Sequence, residues 1–450
     1  MTELLGFERE DVERISSDSE SPDWIREKRA TAWEAYENLP MPTLRDEMWK
    51  YTDLSGLNFK NAKTSEASKY SAVEKFESYP EEAIKLLSDE AIHLEQNGGM
   101  CKPGLLIQHD SRVTFTDVEK ELTEKGVIFC SMSDAVRNHT ELVRKHFMEK
   151  VVPADEGKFG SLNAALWNGG IFLYVPKEIE IKLPFKSYIL MTDGGKALFH
   201  HSLVVLEQGA HATYIEQSRS EDYSTDSLNS SVAEVVVKEG ASLNYISLQN
   251  WGNNVVDIST RKAVIERDAS LNWIVGTLGG KVTRSSYETR LIGQGSSTNT
   301  RGFYLASDKQ HHDFWGLLSH EAPNTTADLL YKGVLTGKSR SVFRGLIKIA
   351  EVAQQTDSYL TNNNILLSDE ARADSVPTLE INANDVKASH GATVGNLDKD
   401  EIFYLMTRGL TKLAAEKLII NGFFAPVLKS IDSEILREHI NGFIDKKLGA

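Results

Sequence analysis

Two cysteines in 450 residues are the sharpest shortage in this chain. Cys101 and Cys130 stand 29 positions apart with no Cys-x-x-Cys pair, which excludes a disulfide framework and a self-contained zinc site. The shortage also bears on iron chemistry, because common iron–sulfur clusters take about four thiolate or imidazole ligands. A chain of this composition needs ligands from a partner to hold one. No apolar run approaches the roughly 18 residues of a membrane span. The N-terminal MTELLGFEREDVERI is acidic where a secretory signal has a basic and then an apolar segment. The expectation is a soluble cytoplasmic protein. Basic residues are the minority, 50 Lys and Arg against 65 Asp and Glu, and the formal charge of −15 argues against nonspecific nucleic-acid binding and against anionic membranes. Protein partners or small ions remain. GxSxG, HExxH and GxGxxG are absent as well. Gly333 to Ser339 spells GVLTGKS, but Val334, Leu335 and Thr336 supply three residues where a phosphate-binding loop needs four, so it reads as a turn between strands.

Residues 1–150 read as mainly helical with some strand. Ser21-Pro22 is a good N-cap and N1 pair, Ile25, Ala32, Trp33 and Tyr36 follow on one helical face, and the helix stops before Pro40. Leu39 to Phe59, LPMPTLRDEMWKYTDLSGLNF, combines a double-proline turn with a short amphipathic segment, and residues 60–103 are polar and in part loosely ordered. Gly104 to Gln108 and Val127 to Cys130 read as short buried strands around Glu119 to Lys125, with Ser133 capping a helix toward Met148.

Residues 151–395 change to short alternating runs of Val, Ile, Leu and Tyr punctuated by Gly, Asn, Ser and Asp. A phrase recurs: VVLEQGAHATYI around Gly209, VVVKEGASLNYI around Gly240, AVIERDASLNWI around Asp268 and RLIGQGSSTNTR around Gly295. Turn centres 31, 28 and 27 residues apart mean stacked coils, and favour a parallel β-helix over a β-sandwich. The last coil of such a stack has unpaired backbone groups, to be capped or paired with another chain. Residues 396–450 return to helical spacing in three short helices. Their faces are Ile402, Leu405, Met406 and Leu410, then Ala415, Leu418, Ile419, Gly422 and Phe423, then Ile431, Ile435, Leu436, Ile440 and Ile444. These faces are expected to pack on the parent domain, while Phe423-Phe424 reads as an exposed pair that suits a partner.

His200-His201 and His311-His312 cannot converge on one ion, because neighbours on a strand point to opposite faces. HHDFWGLLSHEAPNTT is a better polar cluster than a ligand set. His390 differs: in KASHGATVG it reads as lying between a strand ending near Val386 and a helix opening near Asp398, with Gly391 and Gly395 allowing close backbone approach. Asp369, Glu370, Asp374 and Asp385 are oxygen donors nearby in sequence, although a solvated acidic face is their ordinary reading.

Several long segments resemble the SufB/SufD family of iron–sulfur cluster assembly proteins: KVVPADEGKFGSLNAALWNGGIFLYVPKEIEIKLPF, HHDFWGLLSHEAPNTTADLLYKGVL, RSVFRGLIKIAEVAQQTDSYLTNNNILLSDEARADSVPTLEI, KASHGATVG and FYLMTRGL. LPMPTLRDEMWKYTDLSGLNF looks SufD-like. So do two substitutions: Thr356 stands in a TQCDS-like segment where SufB has a cysteine, and Ala388 where SufD-like chains often have another. The resemblance implies a right-handed parallel β-helix between helical N- and C-terminal regions, acting as a non-catalytic scaffold subunit. It implies pairing with a SufB-like paralogue through β-helix edges, and docking of the SufC ATPase on the C-terminal helices. Phe403, Tyr404, Arg408, Gly409, Asn421, Gly422 and Phe423 are the docking residues so implied, and ATP belongs to SufC. No cofactor is tightly bound; iron or a cluster is shared transiently with SufB, with His390 as the metal-site residue. Two alternatives stand beside this: a SufB-like scaffold working as a homodimer, and a carbohydrate-active β-helix enzyme.

Overall fold

A residue with positive φ every 27 to 31 positions turns this chain into a coil. Glu178, Gly209, Gly240, Asp268, Gly295, Asn324 and Gln355 have φ of 54 to 73° and stand at the same corner of successive turns. The N–H of each reaches a carbonyl one coil further on, as from Gly209 to Glu239 (3.0 Å), Gly240 to Arg267 (2.9 Å) and Gln355 to Asp385 (2.6 Å). Glycine enters this backbone region without strain, and Asp and Asn are the side-chain-bearing residues that enter it most often. The computed structural model describes residues 5–18, 20–64, 70–84, 87 and 103–449; Cys101 and part of the 60–103 stretch lie outside the described residues.

Each coil places one strand in each of two sheets. Sheet I climbs from Ile171–Val175 and Lys196–Leu206 to Arg340–Ile349 and Arg372–Ile381, and sheet II from Phe185–Met191 and His211–Ser220 to Thr356–Leu366 and Val386–Asn396. Every pairing along these eight coils is parallel, so the β-helix is present. Its first end is closed by antiparallel strands, Ile128–Ser131 on sheet I and Arg112–Val118 beyond Gly104–His109 on sheet II.

Alternate residues of each strand point into the coil, and like residues stack in register. One column of sheet II runs Tyr214, Tyr245, Trp273, Thr300, Leu329, Leu360 and finally His390. Its aromatic members lie 4.9 and 4.8 Å apart and are fully buried. Burying each such side chain contributes roughly 1.5–3 kcal/mol. The outward faces are covered too. Helices Asp23–Asn38 and Gly157–Leu166 pack with Phe199, Leu203, Val232 and Val256 outside sheet I. Helices Lys412–Leu428 and Glu434–Lys447 pack with Ile215, Ile246, Ile274 and Phe303 outside sheet II.

Several local readings are corrected. Pro22 is the N-cap of Asp23–Asn38 and no side chain caps it. Ser131 rather than Ser133 caps Met132–Asn138, and a second helix, Thr140–Arg144, follows. Phe424 is fully buried against Phe303, so the Phe-Phe pair is not exposed as a unit. The buried face of Lys412–Leu428 is Ala415, Ile420, Phe424, Val427 and Leu428. Most consequential, KASHGATVG is not a strand-to-helix link. Strand Val386–Asn396 begins where the sequence suggested an end, because an eleven-residue ladder with Thr356–Leu366 overrides its weak strand propensity.

Candidate functional site at the open end

Among the described residues the eighth coil has no ninth. Arg372–Ile381 and Val386–Asn396 each pair on one side only, and their side chains are half-buried or exposed where the same positions deeper in the coil are buried. Pro377 lies in Arg372–Ile381, in keeping with the confinement of proline to edge strands. The inward positions of the last strand of sheet II are Ala388, His390, Ala392 and Val394; those of sheet I include Ala373, Ser375, Pro377 and Leu379. Among the inward positions described at the mouth His390 is therefore the one imidazole, paired with Leu360 below it, exposed, and flanked along the inward row by Ala388 and Ala392.

The acids that lie near it in sequence do not join it. Glu370 pairs with Lys338 at 2.8 Å, and Asp374 with Arg340 and Arg372, each at 2.9 Å. Burial works against the Asp374 carboxylate, but its hydrogen bonds to Arg372 and Arg340 outweigh that and hold its pKa below the usual value. Among the described residues, no three His, Cys, Asp or Glu side chains converge as a metal site. Cys130 offers no thiolate, since burial and then Asp134 push its pKa up to about 12.

One coil below the mouth lies a network that the sequence did not reveal. His320 bonds through Nδ1 to Thr325 Oγ1 (2.8 Å) and through Nε2 to Ser358 Oγ (3.0 Å); Thr325 Oγ1 meets Thr356 Oγ1 at 3.1 Å, and Thr356 donates to the Ala353 carbonyl. Burial pushes His320 down to about 4, so it stands neutral with both nitrogens engaged. Thr356 thus occupies its position as a buried hydroxyl.

The expected docking residues separate into two groups. Helix Lys399–Thr407 buries none of its side chains; Phe403 and Tyr404 are 67% and 56% exposed. Arg408 stacks 5.1 Å over the Tyr404 ring and donates to its hydroxyl at 3.1 Å, and Gly409, with φ of 94°, ends the helix. On the next helix Gly422 is exposed, while Asn421 and Phe423 are half-buried, and Lys332 Nζ sits 4.4 Å over the Phe423 ring. A cleft of about 350 Å³ separates Phe403 and Met406 from Leu366 and Asp369 at the end of sheet II.

The fold is thus a parallel β-helix with a histidine at its unpaired end and an uncovered helix beside it. Residues 188–423 match the family model for the SufBD core domain of SUF system FeS cluster assembly, and residues 105–186 match the SufBD protein N-terminal region. The chain belongs to the SufBD family of iron–sulfur cluster assembly proteins. It is 31% identical over 427 residues to an iron–sulfur cluster assembly SufBD family protein of Staphylococcus epidermidis, covering 94% of this chain and 89% of that protein. It is 30% identical over 433 residues to iron–sulfur cluster assembly protein SufB of Bacillus subtilis, covering 95% and 90%. Among the described residues no helix is long and apolar enough to cross a membrane.

Proposed function

We propose that this chain is a non-catalytic scaffold subunit of a SUF assembly, pairing through its open β-helix end with a SufB-like chain and docking a SufC-type ATPase on its C-terminal helices. One observation carries the reading. His390 is the one ligand-type side chain among the inward positions described at the mouth, and among the described residues no three His, Cys, Asp or Glu side chains converge there as a metal site. A half-site of this kind is completed by another chain. Iron or a nascent cluster is then cargo, held between His390 and a partner thiolate, and the Cys/His donor set suits iron. ATP is bound by the ATPase, whose docking site is Phe403, Tyr404, Arg408 and Gly409, with Asn421, Gly422 and Phe423 behind them. His390→Ala is expected to abolish cluster formation by the reconstituted complex and to leave the complex and its melting temperature intact. Normal cluster formation by that variant would end the assignment.

The name of the Bacillus subtilis relative favours a second reading, in which two copies of this chain pair through the same ends and build a cluster alone. Anaerobic reconstitution of the isolated chain separates the two. A stoichiometric sulfide-to-iron absorbance band supports the homodimeric scaffold, and its absence the heteromeric one.

A further inference from the structure

The open end presents more than backbone. Residues 43–52 cross the outer face of sheet I, and three contacts fasten them there. Thr52 Oγ1 donates to Asp313 Oδ2 at 2.6 Å, Arg344 Nη1 donates to the Glu47 carbonyl at 3.1 Å, and the Arg284 guanidinium lies 4.2 Å over the Trp49 ring. Asp313 is fully buried between Arg284 (2.9 Å) and Arg344 (2.9 and 3.1 Å). Charge-assisted bonds of this geometry hold both guanidiniums rigidly, so the crossing segment rests on a fixed platform.

At the rim of that platform stand Tyr51, 5.9 Å from the Arg340 and Arg344 guanidiniums, and Trp315, 5.8 Å from Arg344. Register carries the rim to the last strand, where Arg340 pairs with Arg372. Those two guanidiniums share one carboxylate, Asp374. Arg340 Nε is buried without a hydrogen-bond partner, and the Arg372 side chain is 67% exposed. Tyr, Trp and Arg are the residue types that carry most binding energy at protein interfaces. Because the patch is continuous with the unpaired edge of Arg372–Ile381, a strand laid along that edge brings its own outward side chains against it.

We propose that the chain adding a strand at Arg372–Ile381 also covers the rim formed by Tyr51, Trp315, Arg340 and Arg372, and brings a carboxylate to the two guanidiniums. The proposal rests on the edge-pairing reading above and names the further surface that the partner takes. The occupant is a second chain of the same fold, because the end of another parallel β-helix presents strand edges to both sheets at once. One added acid balances two arginines that now share a single one. Segment 43–52 becomes part of the interface, although it comes from the N-terminal region.

The test is the affinity between this chain and a co-purified SufB-like partner, measured by titration calorimetry on three variants. Arg372→Glu and Tyr51→Ala probe the rim. Ala392→Lys, an inward-pointing charge at the mouth, blocks edge pairing itself. All three are expected to weaken association at least tenfold, and Arg372→Glu, on an exposed side chain, to leave the melting temperature unchanged. If Ala392→Lys weakens binding while both rim variants match the wild type, the rim is not part of the interface and the edge reading stands. If Ala392→Lys has no effect, edge pairing fails and this proposal fails with it.

Discussion

Asp257 shows how the interior of the coil deals with charge. It is fully enclosed and accepts hydrogen bonds from Asn229 Nδ2 (2.7 Å) and Gln249 Nε2 (3.3 Å), and burial pushes its carboxyl up to about 6. Glu216, equally enclosed, has the opposite fate. Burial works against its ionisation, but Arg261 at 2.7 Å and the Tyr245 hydroxyl at 3.0 Å overcome it and lower its pKa. An unfolded aspartate releases its proton near pH 4, so between there and about 6 the folded chain holds a proton that the unfolded chain has lost. Stability contributed at Asp257 is therefore complete at low pH and declines as pH rises through 6, by on the order of 3 kcal/mol in all. The melting temperature of the wild type relative to Asp257→Asn should fall between pH 5 and pH 7.5. A difference that stays constant over that range contradicts the assignment. His390 was legible as a residue, because a histidine between small residues stands out. Its place at the head of the Tyr214–Leu360 column was not, since that depends on pairing between strands about 30 residues apart.

At the scale of elements, the C-terminal helices divide the work between packing and display. Phe424 is fully buried in the layer outside sheet II, whereas Phe403 is exposed on a helix that buries nothing. Phe424→Ala should cost about 3–5 kcal/mol, and Phe403→Ala less than about 0.5 kcal/mol, in urea unfolding. Only Phe403→Ala should release a SufC-type ATPase in a capture assay while leaving the fold intact; retention at wild-type affinity would remove Phe403 from the docking surface. The existence of these helices was readable from their spacing. The buried face of Lys412–Leu428 was not, because KLAAEKLIINGFFAPVL is apolar on every side and the sheet decides which side is covered. Strand Val386–Asn396 was hidden for a related reason: Ala, Ser, Gly and His carry little strand preference of their own, and the ladder beneath supplies it.

For the molecule as a whole, the coil was the most legible feature, since a corner that takes positive φ favours Gly, Asp or Asn and returns every 27 to 31 residues. Glu178, Asn324 and Gln355 occupy the same corner without the surrounding phrase, which is why the repeat looked shorter than it is. In a stack of this kind each coil is stabilised by its two neighbours, and the last has only one. Amide exchange at high dilution should accordingly be faster in Arg372–Ile381 and Val386–Asn396 than in Ser242–Asn250, and should slow when a pairing partner is added. Equal protection of all three strands in the isolated chain would mean that the end is not open. The two ends of the stack are unlike. Antiparallel strands finish the first, where the Val73 N–H also caps the Thr114 carbonyl of the outermost strand, and nothing described finishes the other. When two such open ends meet, each covers the pair of unpaired strand edges, Arg372–Ile381 and Val386–Asn396, that the other presents, and the outward-facing ends carry the antiparallel strands. Growth halts at a pair, so a fold built from stacked strands is kept from becoming a fibre.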